Sequence, residues 1–102
     1  MPAPQPLSAR EIQVALAELT GWTFAENCLE REYTFAGHLA AAAVVMEIAR
    51  LQDRLDHHAD LTLGYTTVKV AVNTHSVGGK VTELDIDLAR HIEQIAEEHQ
   101  VT

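Results

Sequence analysis

The chain is poor in cysteine, in cationic residues and in long apolar runs, and each shortage closes a class of function. Cys28 is the sole cysteine among 102 residues, which excludes an internal disulfide and a cysteine-rich zinc framework. Seven Lys and Arg stand against fifteen Asp and Glu, a net charge of -8. Such a surface repels phosphate backbones, and no basic stripe overrides the sum, which argues against direct nucleic-acid binding. The longest apolar run, Leu39 to Met46, covers eight residues, far short of the ~20 that span a bilayer. The start, MPAPQPLSAR, has no apolar signal region, so a cytoplasmic setting is expected.

What is present is the makeup of a soluble globular protein, 47% hydrophobic and 22% charged. The length fits one domain with one modest core. Pro2, Pro4 and Pro6 alternate with small or polar residues, which predicts a flexible, solvated arm over residues 1–7 and a single domain over 8–102. Ser8-Ala9-Arg10-Glu11 reads as a capping box. Ile12, Ala15, Leu16 and Leu19 follow at helical spacing, and Thr20-Gly21 ends that helix. Trp22 and Phe24, a turn at Glu26-Asn27, then Leu29, Arg31, Tyr33 and Phe35 predict a hairpin with a half-buried aromatic face.

Beyond Gly37 a long helix should run to about Leu55, with Val44, Ile48, Leu51 and Leu55 as its apolar stripe. The Ala40 to Ala43 tract permits close approach of another helix or subunit. Leu61, Leu63 and Tyr65 alternate, then Val68, Val70 and Val72, so a second hairpin joined by Tyr65-Thr66-Thr67 is expected. Gly78-Gly79-Lys80 breaks the last strand, and Thr82-Glu83-Leu84-Asp85 caps a final helix carried by Leu84, Leu88, Ile92, Ile95 and Ala96. The order is α-β-β-α-β-β-α. It predicts an α+β fold, a four-stranded antiparallel sheet with helices packed on one face.

Three histidines stand where regular structure can aim them at a cleft. His57 and His58 follow the long helix, and His75 ends the last strand. Imidazole gains or loses a proton near neutral pH, so it serves as a general acid or base. Asp53 lies four residues before His57, on the same face if the helix persists, and can orient or charge-stabilise that ring. The same residues also admit a plain reading, His57 and His58 as polar groups at a helix C-terminus and His75 making one backbone hydrogen bond. A zinc site is disfavoured, because adjacent histidines seldom both aim at one ion. Ser76 lacks a Gly-x-Ser-x-Gly setting, and Gly78-Gly79-Lys80 lacks the other residues of a phosphate loop. Cys28 defaults to packing or partial exposure, and His38, His91 and His99 to helix-surface or packing roles.

The stretch DRLDHHADLTLGYTTVKVAVNTHSVGGKVTELD resembles the pterin-4a-carbinolamine dehydratases, also called 4a-hydroxytetrahydrobiopterin dehydratases. Asp53, His57, His58, Tyr65, His75 and Asp85 fall in the places of that family's pattern. Gly21-Trp22 and Arg31-x-Tyr33-x-Phe35 look like its first hairpin. Ala59 stands where the family usually has Pro, and the glycine turn is one residue longer than its commonest form. The resemblance implies removal of water from a 4a-hydroxytetrahydropterin to give quinonoid dihydropterin, within tetrahydrobiopterin recycling. It implies catalysis by His57, His58 and His75, and substrate binding by Asp53, Asp56, Thr74, Ser76 and Asp85. Within that set Asp53 tunes His57, and the backbone from Thr74 to Ser76 holds the pterin edge. No metal, nucleotide or flavin is implied. A pterin is the expected partner, with no membrane or direct nucleic-acid partner, and the protein is expected as a homodimer or homotetramer joined through sheet edges and the long helix. Two other roles are compatible with the resemblance: dimerisation cofactor for a transcription factor, or the same fold acting on a molybdopterin-related compound.

Overall fold

A computed structural model describes residues 4–99 and 101. Helix α1 spans Ala9–Glu18, α2 His38–Leu55 and α3 Glu83–Glu98; the strands are β1 Thr23–Ala25, β2 Cys28–Thr34, β3 Asp60–Leu63 and β4 Thr67–Val72. The element order is the expected one. All strand pairings are antiparallel, in the sheet order β1-β2-β4-β3. No helix among the described residues is long and apolar enough to cross a membrane.

Local sequence chemistry starts each element. Ser8 Oγ accepts the Glu11 amide at 3.1 Å while Glu11 Oε1 accepts the Ser8 amide at 2.9 Å, so the first helix opens on the expected capping box. Thr82 and Asp85 form the second box at the start of α3. Glu26 and Asn27, both at positive φ, make the two-residue turn whose twist suits a hairpin.

Register decides which face is buried. Leu29 faces Val72, Arg31 faces Val70 and Tyr33 faces Val68, so these side chains share the helix-covered face. Leu29, Tyr33, Val68, Val70 and Val72 are buried there with Val44, Ile48 and Leu51 of α2 and Ile86, Leu88 and Ile92 of α3. The opposite face carries Glu30, Glu32, Thr62 and Lys69.

α3 is also tied to the first hairpin by a polar clamp. Glu93 Oε1 accepts the Trp22 indole N–H at 2.8 Å and the Tyr33 hydroxyl at 2.5 Å. Arg31 lies 4.7 Å above the Tyr33 ring and donates to the Thr20 carbonyl at 2.6 Å. Gly21 makes room for it, since a Cβ there would lie 1.2 Å from Arg31 Nη1.

Several expectations are corrected. Leu55 ends α2 exposed, because the helix stops there and the chain turns away at the left-handed Asp56. Phe24 and Leu63 are exposed because both β1 and β3 are edge strands. Tyr65 lies in the β3–β4 turn, which comprises Gly64, Tyr65 and Thr66, while Thr67 already belongs to β4. His75 does not end a strand: β4 stops at Val72, and His75 opens a 3-10 turn over His75–Val77. Leu7, expected within the arm, donates its amide to Val81 O at 2.9 Å. Residues 1–3 of that arm lie outside the described residues.

Candidate active site

The site is built at the C-terminal end of α2, the exit of β4 and the N-terminus of α3. Asp56 sits at φ 52° in the left-handed region, a conformation Asp tolerates better than most residues. Its amide reaches the Asp53 carbonyl and the His57 amide reaches the Gln52 carbonyl at 3.1 Å, a Schellman ending that turns the chain sharply out of the helix. His57, His58 and Ala59 therefore stand outside α2. On the opposite wall, Gly78 and Gly79, at φ 73° and 74°, fold the chain back so that Thr74 pairs with Lys80. That return holds His75 and Ser76 at the rim.

A cavity of about 390 Å³ lies between these segments, lined by Asp56, His57, His58, Asn73, Thr74, His75, Ser76 and Leu84. Beneath it is Asp85, which is fully buried. One carboxylate oxygen bonds His57 Nε2 at 2.6 Å. The other accepts the Thr74 hydroxyl at 2.9 Å and the Thr82 amide at 2.8 Å. Against an ionised carboxylate, which only accepts, His57 Nε2 carries a proton, and Nδ1 is then the nitrogen that can gain and lose one. The pair is a carboxylate-oriented imidazole able to accept a proton at Nδ1 and return it.

Each expected residue has a definite place. The three histidines, Asp56, Thr74 and Ser76 converge on one cavity. Asp53 is a correction: its carboxylate bonds His58 Nε2 at 2.9 Å on the exposed surface, and Asp85 orients His57 instead. The four-residue spacing failed because the helix ends at Leu55 and the left-handed Asp56 rotates His57 away from the Asp53 face. Thr74 is buried with its hydroxyl, amide and carbonyl all engaged inside the chain, the amide by Lys80. The His75 carbonyl is engaged as well, by the Gly78 amide. Leu84 was expected among the core residues of the last helix; it is instead exposed and forms the apolar wall of the cavity. Asn73 escaped the sequence reading because, at the end of an alternating strand, its side chain looked like one more solvent-facing position. It donates to Cys28 Sγ at 3.3 Å.

A larger groove of about 620 Å³ runs along α2 and α3, with Met46, Arg50, Arg54, His91 and His99 on its walls. Size does not favour it. Its histidines are engaged singly, His99 by Glu47 and His91 by the Asp87 carbonyl, whereas the smaller cavity gathers three histidines, one of them bonded to a buried carboxylate.

The profile of the pterin 4 alpha carbinolamine dehydratase family matches residues 5–95. The chain belongs to that family. A Streptomyces avermitilis protein with a provisional pterin-4-alpha-carbinolamine dehydratase name is 55% identical over 93% of this chain and 94% of its own length. A Streptomyces coelicolor protein with the same provisional name is 52% identical over 97% of both chains. A crystal structure of a transcriptional coactivator/pterin dehydratase from Brucella melitensis superposes with a TM-score of 0.85 at 33% identity, covering 90% of this chain and 99% of that one. Membership of a dehydratase family gives the cavity a chemical context, since loss of water calls for the proton transfers that paired imidazoles supply.

Proposed function

We propose that this protein is a hydro-lyase that dehydrates a 4a-hydroxytetrahydropterin to quinonoid dihydropterin, in the recycling of tetrahydrobiopterin. The observation that carries the reading is the convergence of His57, His58 and His75 on one cavity, with His57 held by the buried Asp85. In this reaction the C4a–O bond breaks, the leaving oxygen takes a proton to depart as water, and the N5 proton is lost as the C4a–N5 double bond forms. A general acid at the C4a oxygen and a general base at the adjacent N5 are therefore needed on one ring. His57 and His75 come from segments 18 residues apart in sequence and serve as that pair. His58 positions the ring or stabilises the cationic intermediate, with Asp53 as its carboxylate partner. Leu84 offers an apolar surface to the ring face, and Asp56 and Ser76 offer polar groups at its edge. The direct test is acceleration of 4a-hydroxytetrahydropterin decay by the purified protein.

The setting we propose is cytoplasmic, and the assembly a homodimer or homotetramer. Among the described residues, edge strand β3 pairs with β4 alone, and Leu63 within it and Tyr65 beyond it are exposed, as are Leu39 and Met46 on α2. Unpaired edges and exposed apolar side chains are what a second copy covers. A second reading, a protein-partner role, is favoured by the coactivator half of the Brucella melitensis protein's name together with those exposed residues of α2.

A further inference from the structure

We propose that Gln52 is a positioning residue that fixes the segment carrying His57 and His58. This inference rests on the catalytic reading of those histidines. Between the left-handed Asp56 and the first residue of β3 the chain has no helix or strand of its own, yet it carries two of the three cavity histidines. A segment without ladder hydrogen bonds needs other partners for its amides. Gln52 supplies both: its backbone carbonyl accepts the His57 amide at 3.1 Å, and its side-chain Oε1 accepts the Ala59 amide at 2.8 Å. His58 is thus bracketed by two amides tied to one residue.

The placement of Gln52 is not that of a solvated polar side chain. It is 4% exposed, while Asp53, Arg54 and Leu55 next to it in α2 are all exposed. Glutamine is rarely buried this far, and burying its amide is unfavourable unless the carbonyl finds a donor. The donor is the Ala59 amide, which also fixes the direction of the side-chain amide, since only the oxygen can accept an N–H. The two bonds hold the segment where His57 Nε2 meets Asp85 and the ring lines the cavity. A catalytic imidazole displaced by about 1 Å can lose about 100-fold in rate, so the clasp acts on turnover rather than on substrate contact.

The test uses Gln52→Leu, which keeps the side chain's bulk and removes the acceptor, and two rescues by different routes. Gln52→Glu keeps an acceptor; Ala59→Pro in the Gln52→Leu background removes the amide that needs one. Gln52→Leu is expected to lower kcat at least about 10-fold with little change in KM, and to broaden the proton resonance of the Asp85-bound His57 Nε2–H. Restoration of both readouts by either rescue supports the clasp. Unchanged kcat and resonance in Gln52→Leu, or failure of both rescues, overturns it. If the wild type itself does not dehydrate the pterin, the catalytic reading fails alone, because the His57 resonance reports the clasp without any substrate.

Discussion

Asp85 and His57 are 28 residues apart in the chain and 2.6 Å apart in the fold. Their pairing joins the start of α3 to the exit of α2, and it commits His57 Nε2 to the carboxylate. The carboxylate has two jobs at once. Through one oxygen it orients an imidazole; through the other it closes the capping box of its own helix and takes the Thr74 hydroxyl.

Asp85→Asn should separate those jobs. The Thr82 amide and the Thr74 hydroxyl need an oxygen, so the new amide nitrogen is left to face His57 Nε2. The ring must then carry its proton on Nδ1, which removes the base from the cavity. Turnover should fall by about 100-fold or more while the protein remains folded, since a wrong tautomer is costly even where geometry survives. Circular dichroism beside a rate measurement checks it. Asp85→Ala, which leaves the Thr82 amide and His57 Nε2 without their acceptor, should cost about 3 kcal/mol of stability by urea unfolding.

His57→Ala and His75→Ala should each lower turnover by about 10- to 1000-fold if the two rings move the protons. Both side chains line an open cavity, and His75 is exposed, so the His75 variant should unfold at nearly the wild-type urea concentration. Undiminished rates in both variants contradict the assignment.

The Glu93 clamp is a stability element remote from the chemistry. Glu93→Leu leaves the Trp22 indole and the Tyr33 hydroxyl, both buried, without their acceptor. A loss of about 2–3 kcal/mol is expected, read from the fluorescence of Trp22, the chain's one tryptophan, during urea unfolding. Glu93→Gln keeps an oxygen in place and should cost clearly less.

Alkaline pH reports on the same clamp. Burial pushes the Tyr33 phenol well above its ordinary range, and the Glu93 carboxylate that accepts its proton pushes it further; the nearby Arg31 cation opposes them. A group held protonated in the folded state contributes stability that is complete below the unfolded tyrosine value of about 10 and is lost as pH rises above it. Between about pH 9 and about pH 11 the wild type should therefore lose stability more steeply than Tyr33→Phe. Parallel slopes for the two proteins contradict this.

The order of elements was legible because the local chemistry agrees with the fold. The Ser8 box, the Glu26-Asn27 turn and the alternation of Val68, Val70 and Val72 each carry their own signal, and all three stand in the structure. His57, His58 and His75, which line one cavity, could be singled out from sequence, but the pairing of His57 with Asp85 could not. A four-residue spacing joins Asp53 to His57 only if a helix continues, and nothing in Leu55-Asp56-His57 announces that Asp56 takes a left-handed conformation, as a glycine there would have. Gln52 was illegible for a related reason. Its value lies in accepting the Ala59 amide, a donor that the proline usual at that place in the family does not have. Leu84 and Phe24 were misplaced because periodicity reports which side chains share a face, not whether another element covers them.

The central claim is dehydration of the pterin carbinolamine by the histidine cavity. Stopped-flow absorbance on freshly generated 4a-hydroxytetrahydropterin, with and without the protein at catalytic concentration, tests it most directly. The account predicts faster decay with the wild type and a loss of that acceleration in the folded Asp85→Asn variant. Decay at the uncatalysed rate in the presence of folded wild-type protein contradicts it.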